Sequence, residues 1–168
     1  MANQQTLTLQ EFLAAVNRDI RRELRFADEC MEQAGLLHRG ELRFVGAQFL
    51  RCAATAMCNA TALAAEVLAT GGTPPAGPQC RHDLVPYWPR LRRDRARLVQ
   101  AVRHYRHRWG VAQRLGLLRF AELFLEIVRI KRSQLNHIHL LAGRQSRHDD
   151  AARRGITGQA LGDRWWRR

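Results

Sequence analysis

The chain has 168 residues, which is enough for one domain with its own hydrophobic core. Its composition of 46% hydrophobic and only 7% aromatic residues is dominated by Ala, Leu and Arg, which are all good helix formers. A net charge of +13 makes a polyanion or an acidic protein a plausible partner. No uninterrupted apolar run reaches the roughly 20 residues of a membrane span, and residues 1–5 lack the features of a secretory signal. We therefore expect a cytoplasmic protein with no membrane partner.

The first half of the chain has the periodicity of two amphipathic helices. Apolar residues recur every three or four positions over about 8–34, and Gly35 is expected to end this first helix. A second apolar pattern covers about 40–70, where Gly71 and Gly72 are expected to end it. The two helices are joined by a short turn, so they are predicted to be antiparallel neighbours.

The second half of the chain contains a long connection and two more helices. Residues 71–89 are too many for a simple turn and are rich in proline, which opposes helix formation. The pattern then predicts helices over about 91–114 and 118–141, separated by a break at 115–116. This order predicts an all-α four-helix bundle with a long crossover between the second and third helices. An unrelated bundle with the same number of helices is the alternative.

The ends of the chain are expected to lie outside the bundle. We divide the sequence into an N-terminal tail (1–7), the bundle (8–143) and a basic C-terminal tail (144–168). The last of these either stays irregular or forms a short fifth helix around 157–165, which its glycines would weaken. The four cysteines, at positions 30, 52, 58 and 80, lack zinc-site spacing and are predicted to be reduced and mostly buried.

A family resemblance appears at the end of the second helix. Residues 62–74 (ALAAEVLATGGTP) resemble the Leu-Ala-Glu-x-Ile-Leu-x-Leu-Gly-Gly-x-Pro pattern of bacterioferritins. Continued without gaps, that register places Glu23 on the metal-binding Glu of the family's first helix. In the fourth helix, Gln134-x-x-His137 resembles the family's Glu-x-x-His. The resemblance covers about 8–142 and implies a ferritin-like fold.

The same resemblance implies that the family's iron site is degenerate here. Active members oxidise Fe²⁺ at two irons, held by a Glu from each of two helices and a Glu-x-x-His from each of the others. The second-helix motif has become Ala56-x-x-Asn59, and the fourth-helix Glu has become Gln134. The third helix offers no acid between Asp94 and Glu122, where its ligand should lie. Because neutral groups do not bridge two hard cations, we expect no diiron centre and no enzymatic activity.

The polar residues left at these positions need another explanation. We predict a buried cluster that satisfies its own hydrogen bonds, with Glu23 and His137 forming a charge-neutralising pair. A mononuclear metal bound by these two residues is one alternative, and an incorrect register is the other. The vestigial diiron positions are Glu23, Ala56, Asn59, Gln134 and His137.

Met57 is the candidate cofactor ligand. Bacterioferritins bind haem at a two-fold dimer interface through one Met from each second helix, and the register places Met57 there. Its helical neighbours are all small and would leave room for a porphyrin: Ala53, Ala54, Ala60 and Thr61. Since Met is a recognised axial ligand, haem b is the predicted cofactor. Ordinary packing of Met57 is the alternative, and Met31 is a weaker candidate ligand.

The third helix is unusually rich in arginine, and aromatic residues interleave with the arginines. Such a pattern suits phosphate contacts combined with stacking on bases, although no recognised nucleic-acid motif is present. A solvated charged face and pairing with an acidic homologue are the other two interpretations. The candidate polyanion surface consists of Arg92, Arg93, Arg95, Arg97, Arg103 and Arg106.

Together these features predict a bacterioferritin-like subunit without ferroxidase activity. Such a subunit would be a haem-binding or structural partner in iron storage. It would form a homodimer or a larger ferritin-type assembly, either alone or in a mixed shell with an acidic, active ferritin homologue. The alternative is a ferritin-fold module that binds nucleic acid or another polyanion through its arginines.

Overall fold

The computed structural model describes residues 8–37, 43–77 and 87–153, with side chains described for 90–140 of the last range. These residues form four helices, and no strand occurs among them. The helices are α1 (Leu9–Leu37), α2 (Arg43–Ala69), α3 (Tyr87–Arg114) and α4 (Leu118–Arg153). The predicted number and order of helices are therefore confirmed.

Several predicted helix ends are wrong. The helix α1 continues past Gly35 to Leu37, and α4 continues past Gly143 to Arg153. A single glycine inside a helix costs only about 1 kcal/mol, which neighbouring turns can offset. Pro89 lies in the first turn of α3, where its missing N–H has no helical acceptor to lose. The predicted fifth helix around 157–165 lies outside the described residues.

Local contacts account for the other helix ends, and the breaks expected at Gly71 and at 115–116 are confirmed. At the start of α1, the Glu11 carboxylate accepts hydrogen bonds from the Thr8 backbone N–H and hydroxyl, both at 2.8 Å, which forms a capping box and lowers the pKa of Glu11. Both α2 and α3 end in a Schellman turn with a glycine at positive φ, Gly71 (83°) and Gly116 (70°). Only glycine adopts this conformation without steric cost.

The contacts between helices show how the chain traverses the bundle. Near the start of α1, Asn17 donates a hydrogen bond (2.8 Å) to the carbonyl of Thr73, just after the end of α2. Near the far end of α1, Glu29 forms an ion pair (3.0 Å) with Arg90 at the start of α3. The α2–α3 connection therefore starts and finishes at opposite ends of the bundle. The predicted long crossover is confirmed.

The interior consists of two apolar clusters separated by polar residues. One cluster contains Phe12, Phe120 and Phe124, whose rings pack edge to face or stacked. The other surrounds Cys30, Phe49 and nearby alanines, where α1 meets α2. Between these clusters in the sequence of α1 lies Glu23, which is only 3% exposed.

The cysteines differ in their environments. Burial raises the pKa of the Cys30 thiol far above its ordinary value and also raises that of the half-buried Cys52. Cys58 is exposed on α2, so the expectation of burial is wrong there, and Cys80 lies outside the described residues.

The helix α2 is more apolar than the sequence suggested. By length and composition it is the one helix of the described residues that could cross a membrane, with a mean hydropathy of 1.4 over its most apolar window. About 33% of that window is buried in the bundle, and core helices of soluble proteins pass the same test. The helix α2 is thus apolar on both faces, the inner one in the core and the outer one exposed.

Candidate functional site

Glu23 lies at the centre of a polar layer to which all four helices contribute. Its carboxylate accepts hydrogen bonds from Asn59 Nδ2 (3.1 Å) on α2, Tyr105 Oη (2.9 Å) on α3 and Lys131 Nζ (2.7 Å) on α4. A buried carboxylate is tolerated only when hydrogen bonds and an opposite charge compensate its desolvation. The three donors supply both.

Lys131 supplies the compensating charge. It is the only lysine among 28 basic residues, and its side chain is just 2% exposed. The ammonium group also lies 4.7 Å from the centre of the Phe26 ring, a distance suited to a cation–π interaction. An ammonium is a compact charge on a flexible stem, and here it reaches the Glu23 carboxylate from α4 at 2.7 Å.

Tyr105 remains a hydrogen-bond donor over a wide pH range. Burial raises its pKa well above the ordinary value, and the neighbouring Glu23 carboxylate raises it further. The phenol therefore stays protonated and bonded to Glu23. Tyr105 also stacks on Phe124 with ring centres 5.9 Å apart, which connects the polar layer to the larger apolar cluster.

The structure brings together only some of the residues predicted for this cluster. Asn59 contacts Glu23 as expected, and Gln134 is buried, but its Oε1 has no hydrogen-bond partner among the described residues. His137 is exposed, so the predicted Glu23–His137 pair is wrong. The inward residues on α4 are Lys131 and Gln134, one turn earlier than the predicted pair.

Lys131 and Tyr105 are therefore the members of the site that sequence reasoning missed. One signal was available, because a single lysine in an arginine-rich chain is unusual. Its spacing of three residues before Gln134 would have identified the inward face of α4. No comparable signal distinguishes Tyr105 from the other aromatic residues of α3.

A diiron centre does not fit these side chains. Among the described residues, no group of three or more His, Cys, Asp or Glu side chains is placed to hold a metal ion. Ala56, at one vestigial ligand position, is fully buried and has no donor atom. Moreover, the Lys131 ammonium already neutralises the Glu23 carboxylate and would repel a second cation. The side chains around Glu23 therefore do not support iron chemistry.

Two further ionic clusters join α1 to α3 on either side of Glu23. The buried carboxylate of Asp19 accepts from Arg22 (3.0 Å), His104 (2.7 Å) and Arg108 (2.9 Å). In the second cluster, Glu29 lies close to Arg90, Arg93 and Arg97. Arg90 and Arg97 also lie close to Asp94 on their own helix. Burial raises the pKa of Asp94, and the neighbouring Arg90 guanidinium partly offsets that increase.

The arginines of α3 divide between two faces. Arg93 and Arg97 turn toward α1 and approach Glu29, so they do not belong to a free polyanion surface as predicted. The remaining four are exposed, share one helical face, and form no ion pair within the described part of the chain: Arg92, Arg95, Arg103 and Arg106. We call these four residues the α3 arginine stripe.

The outer face of α2 is uncharged along most of its length. Helical periodicity aligns seven exposed positions into what we call the α2 stripe: Ala47, Leu50, Ala54, Met57, Thr61, Ala65 and Leu68. Leu50 is 55% exposed and Leu68 is 61% exposed, which is unusual for large apolar side chains on one face. Met57, 42% exposed, lies in the middle of this stripe.

A comparison with solved structures shows the fold. The bacterioferritin of Desulfovibrio desulfuricans, whose X-ray structure was determined with its diiron site in different catalytic states, superposes with a TM-score of 0.74. The two chains are 19% identical, and the match covers 89% of this chain and 88% of that one. No protein-family model matches the sequence, and no curated protein matches it. The chain thus has the ferritin-like fold of a bacterioferritin, with an ion pair in its interior.

Proposed function

We propose that this chain is a bacterioferritin-like subunit without ferroxidase activity that binds haem b in a two-fold dimer. In this proposal Met57 from each copy is an axial haem ligand, and the subunit is a haem-carrying or structural partner in iron storage in the cytoplasm. The observation that carries the proposal is the position of Met57, exposed at the middle of the uncharged α2 stripe.

The side chains around Met57 fit a porphyrin. A thioether is a suitable soft axial ligand for haem iron. Ala54 and Thr61, one turn to either side on the exposed face, are small enough to let a flat macrocycle approach the helix. When bound, haem would supply one-electron transfer. The protein would contribute the ligand and a water-poor apolar surface.

The buried ion pair supports the absence of ferroxidase activity. Oxidising Fe²⁺ at a dinuclear site needs carboxylates that are free to bridge two cations. Here the Glu23 carboxylate at the centre of the bundle already binds Lys131 and two neutral donors. In a mixed shell, an acidic and active homologue would oxidise the iron, and the charge of +13 on this chain would favour that pairing.

A spectroscopic titration tests the haem proposal. We would add haem to the purified protein and record visible spectra for the wild type, Met57→Leu and Met31→Leu. Met31 is a matched control because it is also an exposed methionine, 45% against 42% for Met57, but lies on α1. We expect a low-spin spectrum of bis-thioether ligation at one haem per two chains, lost only in Met57→Leu. An unchanged spectrum in Met57→Leu, or none in the wild type, would refute the assignment.

A second candidate function is binding of nucleic acid or another polyanion. The specific observation in its favour is the α3 arginine stripe, since its four guanidinium groups are exposed and unpaired within the described residues. Counterion release makes such binding fall steeply with salt. We would compare Arg103→Gln/Arg106→Gln with Arg119→Gln/Arg129→Gln, which removes exposed arginines already paired with glutamates. Only the first pair should weaken DNA binding and reduce its salt dependence.

A further inference from the structure

A cavity between α1 and α3 has no role in the proposed haem or polyanion function. Its volume is about 400 Å³, within the range of small-molecule sites. Glu23, Lys131 and Tyr105 lie at its buried end, while Arg22 and Arg25 line its solvent-exposed side. The cavity is thus a cleft that leads from the surface to the central polar layer.

Small and apolar side chains leave the space open. Ala101 lines the cleft on α3, at the level where a longer side chain would fill the gap toward α1. Phe26 and Leu98 supply apolar walls. The ion pairs of Asp19 and Glu29 join α1 to α3 on either side of the cleft, and the Tyr105–Glu23 hydrogen bond joins them at its buried end.

Positive charge exceeds negative charge along this cleft. Two acids line it, Glu23 and Glu29. Four basic side chains line it as well: Arg22, Arg25, Arg97 and Lys131. His104 also lines it, with Nε2 at 2.7 Å from Asp19. Arg25 has no ionic partner in the described part of the chain, so its guanidinium is available to a ligand.

We propose that this cleft binds a small organic anion with an oxyanion head group, a phosphate or a carboxylate, and a short apolar body. Guanidinium groups bind both kinds of head group through paired hydrogen bonds. The head group would lie between Arg25 and Arg97, and the body would contact Phe26 and Leu98. A polymer would instead contact the α3 arginine stripe, which lies on the opposite face of that helix.

Calorimetric titration of the full chain with defined probes tests the proposal. The probes are phenyl phosphate, benzoate, inorganic phosphate and, as a cationic counterpart, benzylamine. We expect one site per chain for at least one of the two aromatic anions and none for benzylamine. The tighter of phenyl phosphate and benzoate identifies the head group, and weaker binding of inorganic phosphate identifies the contribution of the apolar body.

Three variants locate the site. Arg25→Gln should weaken binding at least tenfold, because it removes the unpaired guanidinium. Arg132→Gln is the matched control, since it makes the same charge change at an exposed position on α4 that does not line the cleft, and it should leave affinity unchanged. Ala101→Leu, which fills the cleft without altering charge, should abolish binding. Thermal melts would check that each variant remains folded.

Three results would each overturn the proposal. These are the absence of binding by both aromatic anions, an equal loss of affinity in Arg25→Gln and Arg132→Gln, and full affinity in a folded Ala101→Leu variant. The exposed Arg25 can be replaced without touching the core, so this test stands even if the leucine variant does not fold. None of these readouts depends on haem.

Discussion

At the level of single residues, the interior of the bundle depends on the Glu23–Lys131 ion pair. Both side chains are almost fully buried, at 4% and 2% exposure, so neither is solvated by water. An ion pair in such surroundings is costly to break, because the remaining charge has no compensation. Replacing both partners together removes the charge as well as the interaction and is much better tolerated.

The first prediction concerns this pair. Lys131→Met should lower the free energy of unfolding by about 3–5 kcal/mol because the Glu23 carboxylate is left buried and unpaired. The double variant Glu23→Gln/Lys131→Met should recover most of the loss, since the new amide oxygen can accept from Asn59 while its NH2 group donates to the Tyr105 hydroxyl. Urea unfolding followed by circular dichroism measures both values.

A surface ion pair provides the control for that experiment. Arg129 pairs with Glu126 at 3.3 Å, but the two side chains are largely exposed. Arg129→Met should therefore change the unfolding free energy by less than about 1 kcal/mol. If Lys131→Met were no more destabilising than Arg129→Met, Lys131 would not be the buried partner of Glu23.

The second prediction concerns the pKa of Tyr105. The chain has two tyrosines, so Tyr87→Phe leaves Tyr105 as the sole source of phenolate absorbance. Its folded pKa is raised above the unfolded value of about 10, so its stabilising contribution is complete below that pH. The contribution is lost as the pH rises through the folded pKa. Phenolate should therefore appear only together with helix loss at alkaline pH.

An alkaline titration with two readouts checks this result. Ultraviolet absorbance follows the phenolate, circular dichroism follows the helices, and the same variant in denaturant gives the ordinary titration. Ionisation near pH 10 (the ordinary value) with intact helices would contradict a buried, hydrogen-bonded phenol.

At the level of helices, the glycine turns determine where α2 and α3 end. Gly35 and Gly71 are equally visible in the sequence, yet only Gly71 ends its helix. The difference lies in the residues that follow. After Gly71 come Gly72 and two prolines, which cannot continue a helix, whereas after Gly35 come two leucines, of which Leu37 is buried in the α1–α2 core.

The third prediction tests that helix end. Gly71→Ala should lower the unfolding free energy by about 1–2 kcal/mol, because Gly71 has a φ of 83° that alanine adopts only with strain. Gly77→Ala is the matched control: its added Cβ would meet no atom within 4 Å, and Gly77 has no positive φ. It should leave stability unchanged or slightly raised. Equal thermal stability of the two variants would argue against the Schellman turn.

At the level of the whole molecule, the charged and uncharged surfaces lie on different helices. The α2 stripe is neutral, whereas arginines crowd α3. An apolar stripe of six turns on the surface of a highly charged protein is typical of a covered interface. The function that we propose requires that a second copy covers it.

The fourth prediction follows from this arrangement. Ala54→Arg introduces a charge in the middle of the α2 stripe, where the two copies would bring like charges together. This change should raise the dimer dissociation constant by roughly 100-fold, which corresponds to about 2.8 kcal/mol. Gln113→Arg makes the same charge change at an exposed position on α3 and should have no effect. Sedimentation velocity over a range of concentrations measures both. A wild-type chain that stays monomeric throughout would contradict the dimer and the haem site together.

The sequence by itself determined the helices and their order. The features responsible are local: apolar residues at helical spacing, the Thr8–Glu11 cap and the glycine–proline segment after α2. Each depends on residues that are close together in the sequence. The length of that same segment also determined the crossover, because a chain this long cannot close a tight turn. The absence of acids between Asp94 and Glu122 and the loss of the ligand at Ala56 were likewise readable without coordinates.

The tertiary structure alone decided which polar residues meet in the interior. Whether His137 or Lys131 faces Glu23 depends on the rotation of α4 about its axis, which places Lys131 on the buried face and His137 on the exposed one. That rotation is settled by the packing of Phe120 and Phe124 against Phe12, far away in the sequence. A one-turn error in the register of a motif therefore changes the chemistry of the site while leaving every helix in place. The same long-range packing brings Arg93 and Arg97 of α3 toward α1, where both approach the buried carboxylate of Glu29.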